Sequence, residues 1–181
     1  MNIDKAFKLF KEAKARCKLA DFVVIGSNSV IAYAASGARV PDDMTRSIDF
    51  DAYVLDDPAR IFELVKELGE DSPFHQREGI YLDAVSPATA TLPEGWRDRL
   101  MLAEKDGVRL WCLDPNDAAV SKYARGEPRD LRWIRAGIAA SIVSPPTVRL
   151  RLKHTVFDDD AEQQRAWANF EADAQAGKST A

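Results

Sequence analysis

Phe22-Val23-Val24-Ile25-Gly26-Ser27, followed by Arg46-Ser47-Ile48-Asp49-Phe50-Asp51, is the stretch that decides the fold. Four apolar residues in a row suit a short strand buried on both faces, and Gly-Ser is a tight exit from it. In the second segment side chains alternate, so Asp49 and Asp51 share one face of a strand while Ile48, Phe50 and Ala52 take the other. Two carboxylates then converge within a few ångström, a pair able to hold a divalent cation. Asp83 occupies a third strand-like run, Gly79-Ile80-Tyr81-Leu82-Asp83-Ala84-Val85, again flanked by apolar residues. Three acids on adjacent strands would complete a cage.

Working outward, residues 4–19 carry Phe7, Leu9, Phe10, Ala13 and Cys17 at helical spacing among lysines, the pattern of an amphipathic helix laid on a sheet. Residues 27–36 suit a helix that opens directly after the Gly-Ser turn, with Gly37 as its left-handed cap and its first N–H groups aimed over Gly26 and Ser27. Residues 38–45 are a polar, proline-bearing loop, and 47–55 are the acid-bearing strand. Asp57-Pro58 starts a helix with Asp57 as N-cap, and Ile61, Phe62, Leu64, Val65 and Leu68 form its apolar stripe up to Gly69. Residues 99–104 and 108–113 read as a hairpin turning at Lys105-Asp106-Gly107, so the sheet is mixed. Asp114-Pro115 opens a helix ending near Gly126, and Pro128 opens another running to about residue 143. Pro145-Pro146 interrupts it, two helical stretches follow at about 147–154 and 159–176, and the small-residue tail is expected to fray.

The fold class read from this pattern is α/β (α+β): a mixed β-sheet core flanked by helices over residues 1–113, with a C-terminal helical extension over 114–181 packed on it. At 181 residues, 46% hydrophobic and 30% charged, the chain has the material for a proper core and lacks the bias of a disordered or fibrous protein. A net charge of -4 and a pI near 5.3 argue against a protein that coats nucleic acid by bulk charge. No apolar run approaches the roughly 18 residues needed to span a bilayer, and the first residues read as a charged helix start, so a cytoplasmic protein without membrane association is expected. Cys17 and Cys112 stand apart from any cysteine or histidine cluster and read as buried, reduced thiols.

These residues together resemble the nucleotidyltransferase superfamily, the fold shared by polymerase-beta-type enzymes and minimal nucleotidyltransferases. The segment Leu113-Asp114-Pro115-x-Asp117-x-x-x-Ser121-Lys122-x-x-Arg125-x-x-x-Arg129-Asp130-x-x-Trp133-Ile134 is similar to the lysine-then-aspartate segment of AbiEii-like proteins of bacterial toxin–antitoxin and abortive-infection systems. The resemblance covers roughly residues 20–140. It implies a nucleoside triphosphate such as ATP bound with two Mg2+ ions, and transfer of a nucleoside monophosphate to a hydroxyl on a protein or tRNA acceptor. It also implies a toxin or antitoxin partner protein. Asp49 and Asp51 would bridge both ions, and Asp83 would join the ion that activates the attacking hydroxyl. Gly26 and Ser27 would meet the phosphates, Arg46 and Ser47 would line the nucleotide site, and Lys122 would offset triphosphate charge with Asp130 orienting it. The chain has Gly-Ser where many members have Gly-Gly, Ser47 where AbiEii-like proteins often have threonine, and a shorter helical part.

Each residue also has a plainer reading. Lys122 and Arg125 near a helix C-terminus oppose its dipole, and Asp130 in a first turn stabilises a helix in any protein. Arg46 either positions a phosphate or pairs with Asp42 or Asp43. The cluster Arg149, Arg151, Lys153 and His154 is either a solvated face or an RNA contact. As a whole, the alternative to an active enzyme is a catalytically inactive nucleotidyltransferase fold acting as a protein-interaction, antitoxin-like module.

Overall fold

A computed structural model describes residues 3–178; the tail expected to fray lies partly outside them. The chain forms two compact units, Met1–Thr89 with Leu100–Leu113, and Ala90–Arg99 with Asp114–Ala181.

The first unit is the α/β part. Helix α1 (Ile3–Cys17) buries Ala6, Phe7, Leu9, Phe10, Ala13 and Cys17 along one stripe. Strand β1 (Asp21–Val24) follows, then a 3-10 turn at Ser27–Val30 and the single-turn helix α2 (Ile31–Ala35). Strand β2 (Asp49–Val54) leads into a second 3-10 stretch, Pro58–Leu64, then α3 (Val65–Leu68), α4 (Pro73–Glu78) and β3 (Tyr81–Ala84). The hairpin β4 (Met101–Lys105) and β5 (Val108–Cys112) completes a five-stranded sheet of order β3-β2-β1-β5-β4. β1 runs antiparallel to β2 and parallel to β5, β2 is parallel to β3, and β4 is antiparallel to β5, so the sheet is mixed as the sequence implies. Asp106 and Gly107 both take positive φ (52° and 68°), the requirement of a two-residue type I′ turn. The Phe10 ring lies 5.1 Å from Phe22 and 6.0 Å from Phe50, which pins α1 onto β1 and β2. Each such ring taken out of water contributes about 1.5–3 kcal/mol.

Several expectations for this unit are revised. The single helix over 27–36 is a 3-10 turn followed by one α-turn. The stretch after Pro58 is 3-10 as far as Leu64, and Asp57 makes no capping hydrogen bond. Of its expected stripe Ile61, Leu64 and Leu68 are buried, whereas Phe62 and Val65 face solvent, because spacing by three turns a 3-10 helix away from the α-helical stripe. Helix α4 was not expected; Ser72 caps it by accepting from the His75 N–H (3.1 Å), and left-handed Gly79 ends it.

The second unit is helical: α5 (Pro115–Arg125), α6 (Pro128–Ala139), α7 (Pro145–Lys153) and α8 (Asp160–Lys178). α5 is buried over most of its length and packs against the other three. Its N-cap is Asp114, which accepts from the Asn116 N–H at 2.8 Å. α6 stops at Ala139, short of residue 143, and Ser141 turns with φ 58°. Pro145 and Pro146 do not merely interrupt a helix; they occupy the first turn of α7, where a missing N–H costs nothing. Of the 149–154 cluster, Lys153 and His154 are exposed, while the two arginines have acidic partners. Arg149 pairs with Glu171 (3.0 Å), while Arg151 is largely buried against Asp114 (2.5 Å) and Asp117 (3.0 Å). Arg99 makes a two-pronged contact to the same Asp117 (3.0 and 3.1 Å), which ties residues 90–99 to this unit. Cys17 and Cys112 are free and buried, and burial pushes the Cys112 thiol up to about 12. Among the described residues no helix is long and apolar enough to cross a membrane.

Candidate active site

In the parallel β2–β3 pair, Asp49 stands opposite Tyr81 and Asp51 opposite Asp83, so alternation places all four on one face. Phe50, Ala52 and Leu82 take the other and are buried. Asp49, Asp51 and Asp83 each bring one carboxylate oxygen within 4.8 Å of the other two. This is the convergence that alternation along the two segments implies.

The end of β1 is fastened to these acids. The Ile25 N–H donates to the Asp51 carbonyl at 2.9 Å. At the next residue the chain turns with φ 70° and ψ -154°, a conformation open essentially to glycine. A Cβ on Gly26 would stand 2.0 Å from Asp51 Oδ2, so the missing side chain is also what lets the carboxylate lie against the turn. Ser27 is half-buried beside it, and Ser29 Oγ donates to the Gly26 carbonyl at 2.9 Å. Asn28, fully buried, reaches across to β2. Its Nδ2 donates to the Asp49 carbonyl at 2.7 Å and to the Ser47 carbonyl at 3.4 Å. The Ser47 hydroxyl in turn bonds the Asp49 carboxylate. Arg46 is exposed and pairs with Asp43 at 3.1 Å, one of the two roles open to it from sequence.

The electrostatics of the cluster are those of crowded acids. The Asp83 carboxyl is pushed above the ordinary range first by burial and then by the charges of Asp49 and Glu70. Burial, with the charges of Asp49, Glu70, Asp83 and Asp51, likewise pushes the Tyr81 phenol up. Three hard oxygen donors on one face fit a magnesium-like cation, which takes a few carboxylates and leaves its remaining positions to water and phosphate. Asn28, Tyr81 and Glu70 were not singled out from sequence. Asn28 had one signal, a polar side chain following the Gly-Ser turn in a run that is otherwise small or apolar.

Lys122 and Asp130 lie in the helical unit and meet each other. Lys122 Nζ is 3.1 Å from Asp130 Oδ1, both side chains are almost fully buried, and the ammonium sits 4.9 Å from the centre of the Trp133 ring. Arg125 adds two bonds to the same carboxylate (2.7 and 2.6 Å). Burial raises the Asp130 carboxyl, but the Arg125 hydrogen bond and the charges of Lys122 and Arg125 outweigh it and hold it below the ordinary range.

Residues 1–179 match a family model described as "Nucleotidyltransferase of unknown function (DUF6036)". The chain belongs to this family. No curated protein and no solved structure matches it significantly. Nucleotidyltransferases generally use divalent metals, and in this member of the family the Asp49, Asp51 and Asp83 cluster is a donor set suited to them.

Proposed function

We propose that this nucleotidyltransferase moves a nucleoside monophosphate from a nucleoside triphosphate to a hydroxyl of a protein or tRNA, with Asp49, Asp51 and Asp83 holding two Mg2+ ions. The observation that carries the reading is the meeting of three carboxylates beside the Gly26 turn. In the reaction the acceptor hydroxyl loses its proton to water, its oxygen bonds the α-phosphorus, the bond from that phosphorus to the α–β bridging oxygen breaks, and pyrophosphate leaves. When bound, the ions supply Lewis-acid charge at the phosphoryl oxygens and at the attacking hydroxyl. Asp49, Asp51 and Asp83 would hold these ions. The missing Gly26 side chain leaves room for the Asp51 carboxylate against the turn, and in this reading Gly26 and Ser27 would form the edge that meets the phosphates. Arg46 lies at the exposed approach to β2, where it can exchange Asp43 for a phosphate. Ser47 holds the Asp49 carboxylate. A role for Lys122 and Asp130 toward the triphosphate rests on the resemblance alone, since the two side chains are buried against each other in the helical unit.

An AbiEii-like place in a toxin–antitoxin or abortive-infection system belongs to the same proposal. It is supported by the segment from residue 113 to 134, whose Lys122, Arg125, Asp130 and Trp133 form one contact network. The test is calorimetric titration of ATP, GTP, CTP and UTP in magnesium, comparing wild type with Asp49→Ala/Asp51→Ala, followed by transfer of labelled nucleotide to candidate acceptors. Magnesium-dependent binding that disappears in the double variant is the expected result. Absence of binding for all four nucleotides would refute it and leave the protein-interaction reading.

A further inference from the structure

Asn28 is the one buried side chain among the described residues with an acceptor atom, Oδ1, that finds no hydrogen-bond partner. The amide cannot turn over to cure this, because its other end faces two carbonyl oxygens, those of Ser47 and Asp49, and only the NH2 group can donate to them. An apolar residue in the same space would remove the orphaned Oδ1 but would take the donor away from the Asp49 and Ser47 carbonyls, so what asparagine supplies at this position is the donor. Its Nδ2 spans the backbone on both sides of Ile48, and the Ser47 hydroxyl closes the loop by bonding the Asp49 carboxylate. Asn28 therefore grips the Asp49 backbone from the Gly26–Ser27 side while Ser47 grips its side chain. The same 3-10 turn abuts Asp51 at Gly26. A single rigid piece thus touches both acids of β2.

We infer that Asn28 and Ser47 are positioning residues that set the Asp49 carboxylate for cation binding, acting as an outer layer behind the three acids. This rests on the reading of those acids as the metal site, and it adds a role that the sequence pattern does not assign: Asn28 touches neither cation nor nucleotide, and Ser47 works first on Asp49. Outer partners of metal ligands change affinity by about 10–100-fold when removed.

The experiment is Mn2+ titration of the nucleotide-free protein, read by the electron paramagnetic resonance of free Mn2+, alongside thermal unfolding in chelator. Wild type should bind Mn2+ and Asp49→Ala/Asp51→Ala should not. Asn28→Ala and Ser47→Ala should each weaken binding by about tenfold, and Ser47→Thr, which keeps the hydroxyl, should restore most of what Ser47→Ala loses. Should Asn28→Ala fail to fold, the two Ser47 variants decide, since Ser47 is only half-buried on the loop before β2. A lower melting temperature in chelator with unchanged Mn2+ affinity would make Asn28 and Ser47 merely structural and overturn the inference while the metal site stands. Failure of wild type to bind Mn2+, or equal binding by the Asp49/Asp51 variant, would overturn the metal site itself and this inference with it.

Discussion

Gly26→Ala tests the geometry of the acid site at its tightest point. Two costs add. The backbone at φ 70° and ψ -154° is nearly closed to residues with a Cβ, and holding alanine there costs about 1–3 kcal/mol. The new methyl would lie 2.0 Å from Asp51 Oδ2 and 2.9 Å from its Cγ, so the carboxylate must retreat by about 1 Å before any real contact distance is reached. Twisting the aspartate off its rotamer adds about 0.5–1.5 kcal/mol. The expected loss is about 3 kcal/mol, which for a chain of this size is a fall of about 6–12 °C in Tm. Thermal or urea unfolding followed by circular dichroism in metal-free buffer measures it. The two costs separate in a double-mutant cycle. With Asp51→Ala in place only the backbone cost remains, so Gly26→Ala should be milder there by about 1 kcal/mol. Equal losses in both backgrounds would refute the contact with Asp51, and an unchanged Tm in the single variant would refute the strained turn as well.

Magnesium should raise the Tm of wild type but not of Asp49→Ala/Asp51→Ala; at about 100 times Kd the gain is about 2.7 kcal/mol, readable by scanning fluorimetry across a Mg2+ series. Asp130→Ala should cost about 3–5 kcal/mol, because it strands the buried Lys122 ammonium; urea unfolding of the variant measures it. Since the Asp130 carboxyl is held below its ordinary range, the unfolded chain binds its proton more readily than the folded one. Its contribution is therefore complete above roughly pH 4 and is lost as pH falls through the lowered value. The stability gap between wild type and Asp130→Asn should accordingly narrow in acid, as acid titration of both would report. Arg151→Ala should destabilise far more than Arg149→Ala, by about 3 kcal/mol against under about 1 kcal/mol, because Arg151 serves the fully buried Asp117 whereas Arg149 pairs with Glu171 at the surface; parallel urea melts decide.

What the sequence disclosed depended on how local the cause was. Alternation is a property of neighbouring residues, so the shared face of Asp49 and Asp51 and the strand setting of Asp83 were legible, as was the Asp106-Gly107 turn. The Asp114-Pro115 start was legible for the same reason. Ser72-Pro73 with Gly79 carries the same signature for α4, but with Phe74 as its one buried apolar residue the segment has too little periodicity to stand out. The 3-10 form of 27–30 and 58–64 is set by packing against the sheet, which changes the turn without changing its composition. Asn28 was hidden because its partners lie 19 and 21 residues away. Arg99 likewise carries no local sign of its bond to Asp117, 18 residues on.

The acids of the two units sit in different electrostatic company. Asp130 and Asp114 are taken out of water, which raises their carboxyls, yet both end below the ordinary range because Arg125 and Lys122, or Arg151, stand against them. Those carboxylates are parts of the scaffold and strengthen it as ions. Asp117, fully buried, ends above the range in spite of Arg99 and Arg151 because burial outweighs them, and Asp83 on β3 ends above it first through burial and then through the negative charges of Asp49 and Glu70. Tyr81, on the same face, is raised by the same company. A fold that answers the buried acids of its helical unit with guanidinium or ammonium groups, and sets three carboxylates within 4.8 Å of one another on β2 and β3, concentrates negative charge where no gain in its own stability requires it. A divalent cation held by the proposed site would reverse the sign of that arrangement, turning mutual repulsion among the three carboxylates into shared coordination.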